Sequence, residues 1–232
     1  MKLTFMTAVV AGALFVSAIA GVVAAPNLYG TSGLIEVPDD RIYAVGAWSP
    51  AYHTVLDIND SDNNLSFFTI GTGILPNLSV SGGIKTNGDS DVVLNGKYRL
   101  VAESASRPSI TIGVVDALGD LAINDDPGLY IEVGRNLTAA AEEVAGGDSK
   151  PLRGFLGVGT GVLQGVFLGL DWTLTPKLSA MVEYLSGDDG LVGDSHFNAG
   201  IRFALTNEIR VDAAMVDFDD FSAGISYNVL RF

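Results

Sequence analysis

The sequence predicts an all-β protein, an antiparallel transmembrane β-barrel of about twelve strands preceded by a cleaved signal peptide. Three observations lead there. The apolar residues beyond residue 25 are interleaved with small and polar ones; the strand candidates have the length that crosses a bilayer; and tight turns alternate with acidic loops along the chain. Contiguous apolar runs would point instead to helices or buried parallel strands.

The first residues indicate export. Met1 and Lys2 form a short positive region, Leu3 to Ala20 an apolar run, and Val23-Ala24-Ala25 a small-residue cleavage site, so residues 1–25 read as a signal peptide. The chain carries 13 Lys and Arg against 27 Asp and Glu, a formal charge of −14, and loss of Lys2 with the signal deepens that excess. Such a surface makes nucleic acid a poor partner. With no cysteine, a disulfide framework, a thiolate metal site and a lipoprotein anchor are all excluded.

Strands are expected at about 42–52, 64–74, 77–86, 91–101, 108–116, 128–137, 152–163, 165–174, 177–186, 195–205, 208–217 and 220–232. Alternation is clearest where Val92, Leu94, Gly96, Tyr98 and Leu100 oppose Asn95, Lys97 and Arg99. It recurs in Val166, Leu168, Leu170, Trp172 and Leu174 against Gly169, Asp171 and Thr173, and in Phe197, Ala199, Ile201, Phe203 and Leu205 against Asn198, Gly200 and Arg202. Charge keeps to one parity and bulk to the other, which a helical period would mix.

Tight turns are expected at Leu75-Pro76-Asn77, Thr175-Pro176-Lys177 and Thr206-Asn207-Glu208, each after an even-numbered strand. Longer acidic loops mostly follow odd-numbered strands: His53 to Asn63, Thr86 to Ser90, Ala117 to Pro127 and Gly187 to Asp194, with a short one at Asp217 to Asp220. With both termini periplasmic, the short turns face the periplasm and the acidic loops face outward. The exceptions are a tight outer turn at Leu163-Gln164-Gly165 and a long periplasmic stretch from Thr138 to Lys150, with a short helix through Ala139 to Val144. The last strand ends on Phe232, off the parity of Phe221 to Val229, so a bulge or the end of the lipid register is expected there.

Assigning the charged parity to the inside puts Lys85, Lys97, Arg99, Arg202 and Arg210 in one lumen with Glu132, Asp171, Glu183 and Asp212. Opposite signs there mean either a salt-bridged interior or a narrow path whose selectivity these residues tune. Catalytic material is thin. His53 and His196 are the two histidines, and Ser195 beside His196 would point to the opposite face of a strand, so no enzyme, metal site or cofactor is expected. Asp57, Asp60 and Asp62, like Asp120, Asp125 and Asp126, read as solvated loop surface, because Asp57-x-Asn59-x-Ser61 lacks the glycine and distal glutamate of a calcium loop.

The stretch Asn27-Leu28-Tyr29-Gly30-Thr31-Ser32-Gly33-Leu34-Ile35-Glu36-Val37-Pro38-Asp39-Asp40-Arg41 resembles the opening of YjbH-like proteins, in which G-x-x-G-L-[IL]-x-x-P-x-A-R precedes the first barrel strand. Gly30, Gly33, Leu34, Ile35, Pro38 and Arg41 match, and Asp40 stands where a small residue is usual. The resemblance implies a bacterial outer-membrane protein, a short single-barrel form, engaged in exopolysaccharide export or assembly as a passive pore or scaffold. Polysaccharide and envelope export proteins would be its partners besides outer-membrane lipid. The alternatives are a small general diffusion or oligosaccharide channel and a plugged structural barrel. Residues 26–41 are then an N-terminal segment at the periplasmic mouth or in the lumen, and residues 42–232 a monomeric barrel. Mechanically, Gly30 and Gly33 accept positive φ and Pro38 fixes a kink.

Overall fold

The computed structural model describes residues 24–56, 64–87, 89–139 and 150–228. Nearly all of the segment expected to be a signal peptide, Asp57, Asp60 and Asp62, most of the segment expected to be helical after Ala139, and Phe232 lie outside the described residues.

Twelve antiparallel strands form one closed barrel among the described residues: β1 (Trp48–Leu56), β2 (Leu65–Leu75), β3 (Leu78–Asn87), β4 (Asp89–Val101), β5 (Ser109–Val115), β6 (Gly128–Asn136), β7 (Leu152–Gly159), β8 (Gly165–Thr175), β9 (Leu178–Leu185), β10 (His196–Ala204), β11 (Ile209–Val216) and β12 (Asp220–Tyr227). Each strand pairs with its sequence neighbours, and β12 closes on β1 with Tyr52 opposite Ile225 and His53 opposite Gly224. Closure satisfies every sheet edge, the condition for placing strands in lipid.

The pleat then separates two environments. Outward positions are bulky and exposed, as in Val92, Leu94, Tyr98 and Leu100 on β4 and Val166, Leu168, Leu170 and Trp172 on β8. Aromatic residues gather near the two ends of this face. Trp48, Tyr98, Trp172, Phe203 and Tyr227 lie toward the mouth of the even-numbered connections, whereas Phe68, Phe197 and Phe221 lie toward the other. Two aromatic belts around an apolar band are the signature of a barrel seated between two interfaces.

The connections differ from expectation in two places. Thr86 to Ser90 is no loop, because β3 and β4 stay paired up to Asn87 opposite Asp89. The first strand starts later than the pattern suggested, so His53 lies inside β1 and points inward, instead of opening a loop. Residues 42–47 instead lie against β2: Val45 bridges Gly73, the Gly46 N–H donates to the Gly73 carbonyl, and any side chain on Gly73 would strike the backbone of Tyr43 and Ala44. Connection length is therefore a poorer guide to the two mouths than charge. Among the described residues the odd-numbered connections hold Asp116, Asp120, Asp125, Asp126, Asp188, Asp189, Asp194, Asp217 and Asp219, and the even-numbered ones hold Arg107, Lys150 and Lys177 against Glu103 and Glu208.

The core lies in the lumen. Phe67, Val93, Tyr130, Phe155, Phe167, Met181 and Leu185 point inward from six strands and pack with Leu28, Tyr29, Leu34, Ile35 and Val37 from ahead of the barrel. Tyr29 meets Phe67 edge to face at 5.9 Å between ring centroids. Each large apolar side chain removed from water contributes about 1.5–3 kcal/mol, so this cluster is a packed interior rather than the lining of an aqueous bore.

Candidate functional site

Residues 24–40 are buried throughout, and with Arg41 they find partners on β4, β5, β7, β8, β9 and β10. A segment that touches inward side chains on six strands of a closed barrel can only lie inside it. Internal bonds shape the segment. Pro26 bridges Ser32, Gly33 bridges Pro38, Leu28 N–H donates to the Ile35 carbonyl at 2.8 Å, and Asn27 Nδ2 donates to the Glu36 carbonyl at 2.6 Å. Gly30 holds φ +90° hard against Thr69 of β2, a conformation and a clearance that suit glycine.

Three inward charges anchor this plug. Glu183 receives consecutive backbone N–H groups from Ile35 at 3.1 Å, Glu36 at 2.7 Å and Val37 at 3.1 Å. Arg202 donates to the carbonyls of Gly33 (2.9 Å), Leu34 (3.0 Å) and Pro26 (3.2 Å), while its Nε pairs with Asp212 at 2.6 Å. The Lys97 ammonium, fully buried, donates to the Ser32 carbonyl (2.6 Å), the Ser32 hydroxyl (2.7 Å) and the Asp39 carbonyl (2.5 Å), with the Asp39 carboxylate at 3.4 Å. A buried charge is tolerated when it is paired and its hydrogen bonds are filled; here the plug backbone fills them.

The plug's own charges complete the contact. Asp171 takes Arg41 at 2.5 Å, and Arg41 also reaches Asp39 at 3.1 Å. Asp40, the departure from the small residue of the motif, accepts from the Ser109 hydroxyl and pairs with Arg153 at 2.8 Å, which in turn pairs with Glu103 at 2.8 Å. Glu36 accepts from Tyr29 at 2.7 Å, faces His196 Nε2 at 3.1 Å, and shares the Asn198 amide with Glu183, both at 2.8 Å. The other His196 ring nitrogen lies 2.8 Å from the Asp194 carbonyl, so both nitrogens face acceptors, the arrangement of a doubly protonated ring. Burial alone would push the Glu36 carboxyl up; His196, Tyr29 and Asn198 hold it below the ordinary value. Burial opposes ionisation of Asp39 as well, and Lys97 and Arg41 outweigh it.

The remaining lumen candidates divide. Asp212 lies between Arg202 and His53, whose Nε2 is 3.3 Å away. Lys85 stays on the wall, paired with its cross-strand neighbour Asp91 at 2.5 Å. Arg99 reaches the Pro76 carbonyl at the rim, and Arg210 points inward at the same end, its Nη1 without a hydrogen-bond partner among the described residues. Glu132 is fully buried, and neither carboxylate oxygen has a hydrogen-bond partner among the described residues. Sequence reasoning missed His53, Asn95, Arg153, His196 and Asn198 as lumen residues, although the parity of Asn95 and Asn198 was readable. No group of three or more metal-ligating side chains occurs among the described residues, and Ser195 lies in a connection while His196 turns inward to Glu36.

The structure thus defines a class: a closed twelve-strand barrel whose lumen holds its own N-terminal segment. No protein-family model matches the chain, and a search of the curated proteins returned no match. Among solved structures, it is similar to the KdgM porin, with TM-score 0.51 and 13% identity over 80% of this chain and 99% of the porin. It is similar also to the KdgM porin in complex with disordered oligogalacturonate, with TM-score 0.52 and 12% identity over 79% of this chain and 99% of that one. A weaker match is the Acinetobacter baumannii outer membrane protein Omp33, with TM-score 0.42 and 13% identity over 80% of this chain and 97% of that one. At these identities the likeness is one of fold, that of a porin-type barrel.

Proposed function

We propose that this protein is a bacterial outer-membrane channel, not an enzyme, kept closed by residues 26–41, and that it passes small or oligosaccharide solutes when that segment leaves the lumen. The occupied lumen carries the proposal. Wall residues Lys97, Glu183 and Arg202 spend their hydrogen bonds on plug backbone, an arrangement that a movable segment can make and release without rewriting the wall. The aromatic belts and the exposed apolar band support the membrane setting. Similarity to a porin, one structure of which is a complex with an oligogalacturonate, supports a channel for sugars more than a role in polymer production.

The exopolysaccharide role rests on the YjbH-like motif alone, and plug packing accounts for those residues: Gly30 for its close turn, Gly33 and Leu34 for their carbonyls to Arg202, Pro38 for its bridge to Gly33, Arg41 for its pair with Asp171. The experiment is conductance in planar bilayers, comparing the full chain without its signal and a variant lacking residues 26–41. The expected result is a silent parent and a variant with steady ohmic current. A folded variant that passes no current would overturn the channel reading.

A further inference from the structure

Among the charged side chains described within the strands, all take the inward parity but one. Arg135 on β6 shares the outward parity of Leu129, Ile131 and Val133. Among the described residues its one hydrogen bond goes to the Ala105 carbonyl, at 3.0 Å. The neighbouring carboxylate of Glu103 is already engaged by Arg153 and the Asn136 N–H. Arg135 lies near the strand end, where the Glu103 carboxylate attracts it and lipid phosphates can reach its guanidinium.

The strand register shows what adjoins it. Arg135 is opposite Gly154, Gly154 opposite Leu170, Leu170 opposite Val182 and Val182 opposite Ala199, so one cross-strand row runs from the guanidinium into small and aliphatic residues. The rows on either side are bulkier, with Leu152 and Trp172 toward the turn mouth and Leu156, Leu168 and Phe197 toward the middle. Between them lies an apolar furrow of about 500 Å³. Trp172, one row nearer the mouth, marks interface depth, where phosphates lie.

We propose that Arg135 and this furrow bind one anionic phospholipid, the guanidinium taking the phosphate and an acyl chain lying along Leu137 and Leu170. The planar fork of arginine suits two phosphate oxygens, and the furrow offers a chain the apolar flank of Leu137, whose side chain lies over Gly154, and of Leu170. This rests on the membrane reading above.

Two tryptophans occur in the chain, so Trp48→Phe leaves Trp172 as the sole reporter beside the site. Its fluorescence is read in vesicles carrying brominated phosphatidylglycerol or brominated phosphatidylcholine at equal mole fraction. The expected result is an association preference of about fivefold for phosphatidylglycerol, the scale of one basic residue at an anionic surface. Arg135→Gln should bring the ratio to about one, with the folded gel mobility retained; Gly154→Leu, which displaces Leu137 into the furrow and keeps the cation, should lower it as well. Equal quenching by the two lipids in the parent, or a preference that survives Arg135→Gln, would overturn the site. Absence of quenching by either lipid would instead overturn the membrane setting.

Discussion

The two faces of the same strands are specified differently. On the outer face of β8, Leu168, Leu170 and Trp172 need only be apolar and large, because lipid asks nothing more of them. On the inner face of that strand, Phe167 packs in the lumen core and Asp171 takes Arg41. The wall is held by a regular backbone ladder, and the plug by side chains reaching irregular backbone. Damage to the first should open the barrel; damage to the second should free the plug and leave the barrel closed.

The largest separation should come from Arg202→Met, which strips the donors from three plug carbonyls and leaves Asp212 with His53. Plug docking should weaken by about 3–5 kcal/mol, the cost of breaking a buried pair. The barrel should keep its heat-modifiable gel mobility while protease cuts within residues 26–41. Leu168→Arg should do the reverse, costing the wall roughly 2–4 kcal/mol in urea unfolding from vesicles. Gly30→Ala comes next. At φ +90° and against Thr69, the added methyl should weaken docking by about 1–3 kcal/mol, seen as increased protease cutting at unchanged urea midpoint.

Lys85→Met should cost about 0–1 kcal/mol in the same unfolding assay, since the Lys85–Asp91 pair is partly exposed and binds no plug. A loss as large as that of Arg202→Met would mean that all inward charges act alike. The smallest effect near neutrality is that of protons. Glu36 and Asp39 have lowered folded values, so what their ionisation contributes is present above the ordinary carboxylate range and lost as pH falls through those lowered values. Protease digestion over a pH series should show the plug loosening in acid before the wall, whose ladder carries no titrating group.

The wall was legible because one parity is bulky and the other small or charged; β4, β8 and β10 stand where that pattern put them. It failed where the lumen blurs the distinction. Tyr43 and Val45 read as strand because they are apolar, yet Tyr43 is buried inside the barrel, its hydroxyl donating to the Gly30 carbonyl at 3.0 Å. Thr86 to Ser90 reads as a loop because it is polar, yet β3 and β4 stay paired there, Thr86 opposite Ser90 and Asn87 opposite Asp89.

The inward position of Lys97, Glu183 and Arg202 was also legible, from parity. Their partners were not. All three bind plug backbone N–H or C=O groups, which every residue but proline offers in full, so for Glu183 and Arg202 nothing in the plug's side chains signals the contact, while Lys97 also meets the Ser32 hydroxyl and the Asp39 carboxylate. Opposite charges on the wall suggested that they neutralise one another; Arg202 and Asp212 do, while Lys97 and Asp171 pair with Asp39 and Arg41 of the plug.

Occupation of the lumen by the N-terminal segment is open to one direct measurement, made simple by the absence of native cysteine. Asp40→Cys combined with Ser109→Cys puts two thiols where the Ser109 hydroxyl now donates to the Asp40 carboxylate. Oxidation in intact membranes should join them nearly completely, shown by a gel-mobility shift that a reductant reverses and by loss of labelling with a water-soluble maleimide. Two thiols that stay free and label fully after oxidation would contradict a plugged barrel.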